Sequence, residues 1–327
     1  MNILITGIHG FVGSNLVAAL RKQHTIYGLD IVSPQKDGVI KTFGWNELEQ
    51  IPSVDVIIHL AGKAHDTKNL TNAQVYFDIN TGLTQKIFDW FLTINATKFI
   101  FFSSVKAAAD EVEGDILTEE AVPAPKGPYG ESKLAAERYI INEWEKGREG
   151  DQETRRGGER AKGRKGEGVT GREGDGATSR MGEWANGRLG DESISGEQDH
   201  IVKKVYILRP CMIHGPGNKG NLNLLYKMVQ KGLPWPLGAF ENKRSFCSVD
   251  NLKFVIQQLI EKGIEPGIYQ VADDEALSTN EIIRLIASAQ NRKSRIWNIP
   301  RKLISLSARI GDVLHLPLNS ERFTLWN

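Results

Sequence analysis

Tyr129 and Lys133 are the side chains in this 327-residue sequence best placed to move a proton. On a helix, residues four apart share one face. A free tyrosine titrates at about 10 and is a poor base at neutral pH, but a nearby ammonium stabilises its phenolate and lowers its pKa. Ser104 ends an apolar run and adds a hydroxyl that can hold a substrate oxygen or share its proton. Together these residues predict acid–base chemistry at an alcohol carbon.

A glycine turn near the N-terminus predicts a nucleotide site. It lies between a predicted strand, Asn2–Thr6, and a predicted helix, Phe11–Lys22. Its glycines permit a tight turn, a close approach of backbone to a pyrophosphate, and close packing of helix on strand. They are Gly7, Gly10 and Gly13, with Phe11 and Val12 opening the helix between them. The N-terminus of that helix favours the negative charge of a pyrophosphate.

Two further strand ends fit a dinucleotide. Asp30 closes the strand Thr25–Asp30, where an acid accepts hydrogen bonds from the adenosine ribose and repels a 2′-phosphate, which favours NAD over NADP. Leu60, Ala61 and Gly62 end the apolar strand Val54–Ala61 with small residues, as an adenosine lying against backbone requires. The glycine turn, the acid and the tyrosine–lysine pair therefore predict an NAD-dependent enzyme.

Apolar strands alternate with helices through most of the chain. This order predicts an α/β protein with a doubly wound parallel sheet and helices on both faces. We expect a cofactor-binding domain over 1–208 and a smaller, mainly substrate-binding part over 209–327, with the strand Gly267–Val271 returning to the sheet. In such sheets, ligands bind at the carboxyl ends of the strands.

Residues 147–200 differ from the rest. They contain an eight-residue repeat in which arginine recurs at Arg148, Arg156, Arg164, Arg172, Arg180 and Arg188. A period of eight matches neither a helix nor a strand, and few residues could repay the entropy of folding. We expect a disordered insertion between a helix ending near Lys146 and a strand beginning near Lys203.

The overall composition restricts the class of protein. With 41 basic and 40 acidic residues, the chain lacks the excess of positive charge that is typical of nucleic-acid-binding proteins. Two cysteines without metal spacing fit a reducing compartment, and no run is long and apolar enough for an integral membrane span. We expect a cytoplasmic protein without a metal site, in which His59 and His65 are structural.

These motifs resemble the extended short-chain dehydrogenase/reductase family, which has a Rossmann fold, and in particular its UDP-glucose 4-epimerase-like nucleotide-sugar epimerases and dehydratases. The resemblance runs over nearly the whole chain outside the insertion. The segments that carry it are Gly7–Gly13, Asp30, His59–Gly62, Asn80–Gly82, Ser104, Tyr129–Lys133, Leu208–Gly217 and Arg244–Asp250. The resemblance implies NAD as cofactor, with Asn80 among its contacts, and Ser104, Tyr129 and Lys133 as the catalytic residues.

The resemblance also implies a UDP-sugar substrate. Arg244 would pair with the diphosphate, Ser104 would contact the sugar, and Asn218 and Lys219 are weaker candidates for the same ligand. His214 stands where relatives have tyrosine, which leaves the sugar open. Three functions remain: a 4-epimerase of UDP-hexoses or UDP-N-acetylhexosamines for cell-surface polysaccharide, an NADH-dependent reductase of a UDP-4-keto-6-deoxy (amino) sugar, and a non-catalytic nucleotide-binding protein. Relatives also form homodimers.

Overall fold

The chain forms two compact units. A computed structural model describes residues 1–63, 72–112, 114, 116–162, 202–218, 221–240 and 242–300, with backbone alone for 149–162 and 221. Unit 1 comprises Met1–Pro210 and Lys253–Val271, and unit 2 comprises Cys211–Leu252 and Ala272–Asn327. The predicted substrate residue Lys219, the histidine His65 and most of the repeat insertion lie outside the described residues.

A parallel sheet forms the centre of unit 1. Its strands are β1 (Asn2–Thr6), β2 (Thr25–Leu29), β3 (Thr42–Phe43), β4 (Val56–His59), β5 (Lys98–Phe102), β6 (Lys204–Pro210) and β9 (Gly267–Val271). Their order is β3-β2-β1-β4-β5-β6-β9, and every neighbouring pair is parallel. This confirms the predicted doubly wound sheet.

The helices follow the strands closely. They are α1 (Phe11–Leu20), α2 (Ala73–Tyr76), a π-helical turn (Phe77–Gly82), α3 (Leu83–Thr93), α4 (Val105–Ala108), α5 (Pro128–Lys162), α6 (Asn221–Gln230), α7 (Val249–Glu261) and α8 (Thr279–Ala289), with a 3-10 turn at Leu48–Gln50. The central strands are mostly apolar because helices cover both faces of a parallel sheet. Ile3, Leu4, Ile57 and Phe99 are fully buried.

Helix α5 corrects the predicted boundary near Lys146. It continues to Lys162, through the first two repeats of the segment expected to be disordered. A helix already packed at its N-terminal end has passed the costly nucleation step, so Arg, Glu, Gln and Lys residues extend it readily despite the glycines. The prediction for the rest of 147–200 falls outside the described residues.

Unit 2 combines a short sheet with helices. Strands β7 (Met212–His214) and β8 (Phe246–Ser248) pair in parallel. Helices α6 and α8 pack around a separate apolar cluster that includes Trp235, Phe240 and Ile283. Ser278 starts α8 with a capping box, in which its side chain and that of Glu281 satisfy backbone N–H groups reciprocally.

No helix in the described part of the chain is long and apolar enough to cross a membrane.

Candidate active site

The glycine turn between β1 and α1 is built so that only glycine fits. Gly7 has a φ of +65°, and a Cβ there would lie 2.9 Å from the backbone nitrogen of Ala61. A Cβ on Gly13 would lie 2.7 Å from the carbonyl oxygen of Gly7. Gly10 N donates to that same oxygen at 3.0 Å. The turn is therefore a tight, bare-backbone cradle of the kind that holds a pyrophosphate. Phe11 and Val12 are the first, half-buried residues of the helix that follows.

Asp30 stabilises this cradle from the end of β2. Its carboxylate accepts hydrogen bonds from His9 N at 3.0 Å and from Ile31 N at 2.8 Å. The side chain of Lys36 reaches the glycine turn from a distant part of the chain. Its ammonium donates to Ile8 O at 2.9 Å and to Ser14 Oγ at 2.7 Å. Burial lowers the pKa of Lys36, and Asp30 raises it. Sequence reasoning missed Lys36, since only the folded chain brings it back to the turn.

The carboxyl end of β4 approaches helix α5 at Gly62. A Cβ there would lie 2.8 Å from Asn80 Oδ1 and 3.2 Å from Lys133 Nζ. Asn80 is fully buried in the π-helical turn, and its side chain receives a hydrogen bond from Lys63 N at 2.8 Å and donates to Ser132 Oγ at 3.0 Å. π-Turns are frequent at functional sites. The predicted cofactor residues Gly62 and Asn80 thus lie directly beside Lys133.

The side chains of Tyr129 and Ser104 form a hydrogen bond, and the sequence predicts that these two hydroxyls lie close together. Ser104 caps α4, accepting from Lys106 N at 3.2 Å, while Tyr129 stands in the first turn of α5. Burial raises the pKa of Tyr129, a hydrogen bond with Ser104 lowers it, and Tyr76 raises it further. The net direction is upward, opposite to the expected effect of Lys133, because the loss of solvation is the largest influence in the protein alone.

Lys133 is buried and held by the backbone of β5. Its ammonium donates to Phe102 O at 2.8 Å and lies 5.0 Å from the centre of the Phe101 ring. Burial lowers the pKa of Lys133 to about 8, and Glu137 acts against that shift. An ammonium that keeps its proton near neutral pH can stabilise a phenolate one helical turn away.

His59 is a structural histidine, as the sequence suggests. Leu60 N and Ala61 N donate to Thr6 Oγ1 at 3.1 and 3.0 Å, so the Thr6 hydroxyl must give its own proton to His59 Nδ1, 2.7 Å away. The histidine is then a neutral Nε2–H tautomer. Burial, and then Lys133, lowers its pKa to about 3.

The other nitrogen of His59 continues the chain of hydrogen bonds toward Asn80. Nε2 lies 3.0 Å from Thr84 Oγ1, which in turn donates to Asn80 O at 2.6 Å. Every group in this series is buried. The series therefore links the end of β1 to the π-helical turn that carries Asn80.

Unit 2 contains a cavity of about 660 Å³. The surface of its lining is mostly apolar, and the lining residues are His214, Gly215, Asn218, Leu222, Asn223, Tyr226, Phe246, Asn251, Asp273, Asp274, Glu275, Leu277, Ile282, Leu285 and Ile286. Of the predicted substrate residues, Asn218 lines the cavity. Arg244 does not, but it pairs through its backbone with the lining residue Leu277, and burial lowers its pKa.

His214 and Asp273 form a hydrogen bond within that lining. The His214 Nε2 lies 3.3 Å from Asp273 Oδ2, and the carboxylate also accepts from Ser248 N and Asn251 Nδ2. These hydrogen bonds lower the pKa of Asp273 despite its partial burial. Asp273 gave no signal in the sequence, because its partners come from β7, β8 and the start of α7.

The fold and these residues define a dinucleotide-dependent enzyme of the Rossmann type. Residues 3–149 match the NAD dependent epimerase/dehydratase family. Its cofactor is NAD, and the glycine cradle, the carboxylate at the end of β2 and the cleared space at Gly62 fit that group.

Individual relatives give a finer picture. UDP-glucose 4-epimerase of Vibrio cholerae is 26% identical over 312 residues, covering 91% of this chain and 78% of its own. The N-acetyl-α-D-glucosaminyl-diphospho-ditrans,octacis-undecaprenol 4-epimerase of Escherichia coli O157:H7 is 23% identical, covering 96% and 80%. The structure of UDP-N-acetylglucosamine 4-epimerase from Bacillus cereus superposes with a TM-score of 0.64 at 18% identity, covering 92% and 86%, a likeness of fold.

Proposed function

We propose that this protein is an NAD-dependent nucleotide-diphospho-sugar 4-epimerase acting on a UDP-hexose or UDP-N-acetylhexosamine through a 4-keto intermediate. The observation that carries the proposal is the hydrogen bond of Tyr129 with Ser104, with buried Lys133 one helical turn away. The two relatives of similar length, whose names specify 4-epimerases of sugar diphosphates, support it. The reaction would take place in the cytoplasm, and its product would be a precursor of cell-surface polysaccharide.

Tyr129 is the proposed base. Its phenolate takes the proton of the sugar 4-hydroxyl, and Ser104 holds that oxygen by a hydrogen bond that shortens the path of the proton. Lys133 stabilises the phenolate by its charge. NAD supplies a hydride acceptor and donor and a positive ring when it is bound. Tyr129 returns the proton to the sugar oxygen when the C4 carbonyl carbon is reduced from its other face, so no proton is consumed.

The cofactor-binding residues are proposed from their placement. Gly7, Gly10 and Gly13 bring backbone and a helix N-terminus to the pyrophosphate. Asp30 is positioned to accept from the adenosine ribose, which favours NAD over its 2′-phosphate. The proposed set also includes the strand end at Leu60, Ala61 and Gly62 and the side-chain amide of Asn80. Its remaining members are Phe11 and Val12 beside the glycine turn, and Tyr129 and Lys133 on α5.

Unit 2 is the proposed substrate-binding part. Arg244 offers a fork of donors suited to a diphosphate. Asn218 donates its side-chain amide to Ile213 O at 3.2 Å and lines the cavity, where it is a candidate contact for the same ligand. Lys219, outside the described residues, stays a candidate for the same anion. A homodimer is also proposed from the family resemblance, and light scattering of the purified protein would test it.

Proton NMR tests the proposed function. Purified protein is incubated without added cofactor with UDP-glucose and, separately, UDP-N-acetylglucosamine. Appearance of the C4 epimer is expected, because an epimerase regenerates its own NAD in every turnover. No epimer, but one NADH consumed per turnover of a UDP-4-keto-6-deoxy sugar, would replace the proposal with the reductase. No turnover with any of them would leave the non-catalytic function.

A further inference from the structure

A buried ion pair lies one helical turn beyond Lys133. Arg209 of β6 donates to both oxygens of Glu137, from Nε at 3.0 Å and from Nη2 at 2.6 Å, and Ser103 Oγ also donates to this carboxylate. The side chains of Arg209 and Glu137 are 1% and 0% exposed. Glu137 therefore joins α5 to the carboxyl ends of β5 and β6.

The catalytic groups sit on the same elements. Ser104 directly follows Ser103, and Tyr129, Lys133 and Glu137 recur at intervals of four on α5, which places them along one face. A change in the contacts of Glu137 would thus move the helix that carries the base relative to the strand that carries Ser104.

Stability does not explain this pair. Burying two charges costs solvation that their attraction barely recovers, and apolar replacements of such pairs are often neutral or stabilising. Arg209 Nη1 is buried with no hydrogen-bond partner among the described residues, which adds to the cost. A role in the proposed active site therefore explains the buried Arg209–Glu137 ion pair better than a contribution to stability does.

Lys133 has two anchors within reach. A lysine and a glutamate at this spacing on a helix form an ion pair readily. Within the described residues, however, the structure shows no Lys133–Glu137 ion pair: the ammonium donates to Phe102 O, and both carboxylate oxygens are engaged by Arg209.

We propose that Arg209 is a positioning residue: by occupying the Glu137 carboxylate, it keeps the Lys133 ammonium on the β5 carbonyl, one turn from Tyr129, instead of in an ion pair with Glu137. The proposal rests on the proposed function for its catalytic meaning. Four groups that can carry charge face or border Lys133. Glu137 and Tyr129 are on its own helix, His59 on β4 is neutral, and Arg209 on β6 acts from beyond Glu137.

Two single variants test this arrangement, because they must act in opposite directions. In Glu137→Gln the negative charge is lost, so the pKa of Lys133 falls, and the alkaline limb of the kcat/KM profile moves down by about one pH unit. In Arg209→Gln the unpaired carboxylate attracts Lys133, so the limb moves up by about one unit. We expect kcat to fall about tenfold in both. Ser103→Ala, which removes no charge, leaves the limb in place.

A different pH profile is expected if the Arg209–Glu137 pair only stabilises the fold. Both variants would then lose activity in proportion to their folded fraction, with the limb at its wild-type pH, and that outcome overturns the proposal. If a single variant does not fold, the charge-neutral Glu137→Leu/Arg209→Met double variant replaces it. Its limb should remain at the wild-type pH, and a shift of a unit or more in the folded double variant contradicts the proposal.

A readout without substrate separates this inference from the proposed function. The phenolate of Tyr129 absorbs in the near ultraviolet and is isolated by subtracting the titration of Tyr129→Phe. Loss of the Lys133 charge raises the pKa of Tyr129, so we expect its titration to move up in Glu137→Gln. An unchanged titration in both single variants would overturn the inference even in an active epimerase. In Arg209→Gln the ammonium moves away from the phenol toward Glu137, so the titration should move up there as well. Upward shifts in a protein that epimerises nothing would refute only the proposed function.

Discussion

The two units hold their polar residues in different ways. In unit 1, His59, Asn80, Lys133 and Glu137 are each at most 5% exposed, and each has a hydrogen-bond partner within the unit. In unit 2, His214 and Asp273 are 36% and 25% exposed, and most of the cavity around them is apolar. A buried network has one satisfied arrangement, whereas an open apolar wall tolerates substitution. This difference suggests that unit 1 fixes the chemistry and that unit 2 selects the sugar nucleotide.

Removing the proposed base tests the chemical half of this comparison most severely. Tyr129→Phe should lower kcat by about a thousandfold, since no other group takes the proton of the 4-hydroxyl. The rate of C4 epimerisation by NMR measures it. Tyr139→Phe is the matched control: it removes another phenol from α5, one that donates to Asp89, and should retain full activity. A Tyr129→Phe protein with wild-type kcat would refute the assignment.

The lysine should have the next largest effect. Lys133→Met keeps the length of the side chain and removes its charge, so we expect kcat to fall about a hundredfold with little change in KM. Below a pH of about 8 the wild-type ammonium keeps its proton, and above it the charge is lost. The wild-type rate should therefore fall as the pH rises through 8, and this limb should be absent from the variant. A limb that survives in Lys133→Met belongs to another group.

The cavity of unit 2 should affect binding rather than chemistry. Leu222→Trp fills part of the cavity and should raise KM for the sugar nucleotide about tenfold, with kcat within twofold of the wild-type value. Leu224→Trp is the control, because Leu224 lies on the same helix but is 65% exposed and outside the lining. Equal kinetics for the two variants would mean that the cavity takes no part in binding substrate.

The smallest predicted effect concerns acid stability. The folded-state pKa of His59 is about 3 and its unfolded value is 6.5, so the contribution of the neutral ring is complete above 6.5 and lost as the pH falls below it. From pH 7 to 5.5 this costs about 1 kcal/mol of the free energy of unfolding. Urea unfolding at both pH values should show this loss, and His59→Gln should lack it. The same loss in the variant would assign it to other groups.

Much of the site could be predicted from the sequence because its signals are local. The glycine turn, the acid after the second strand and the Tyr129–Lys133 spacing each reflect a constraint within a few residues. Lys36, Glu137 and Arg209 gave no such signal, since their partners are separated from them by 22 to 72 positions. The helical course of α5 to Lys162 was also missed, because composition alone ignores the packed helix from which it extends.

The sequence by itself therefore determined the class of fold and the cofactor, and it predicts Ser104, Tyr129 and Lys133 as the catalytic residues, because periodicity and short motifs encode these features directly. Tertiary structure alone decided which charges face one another. It made His59 neutral, raised the pKa of Tyr129 by burial, and placed Arg209 on Glu137. The physical reason is that solvation and charge pairing depend on distances between strands and helices that only the folded chain sets.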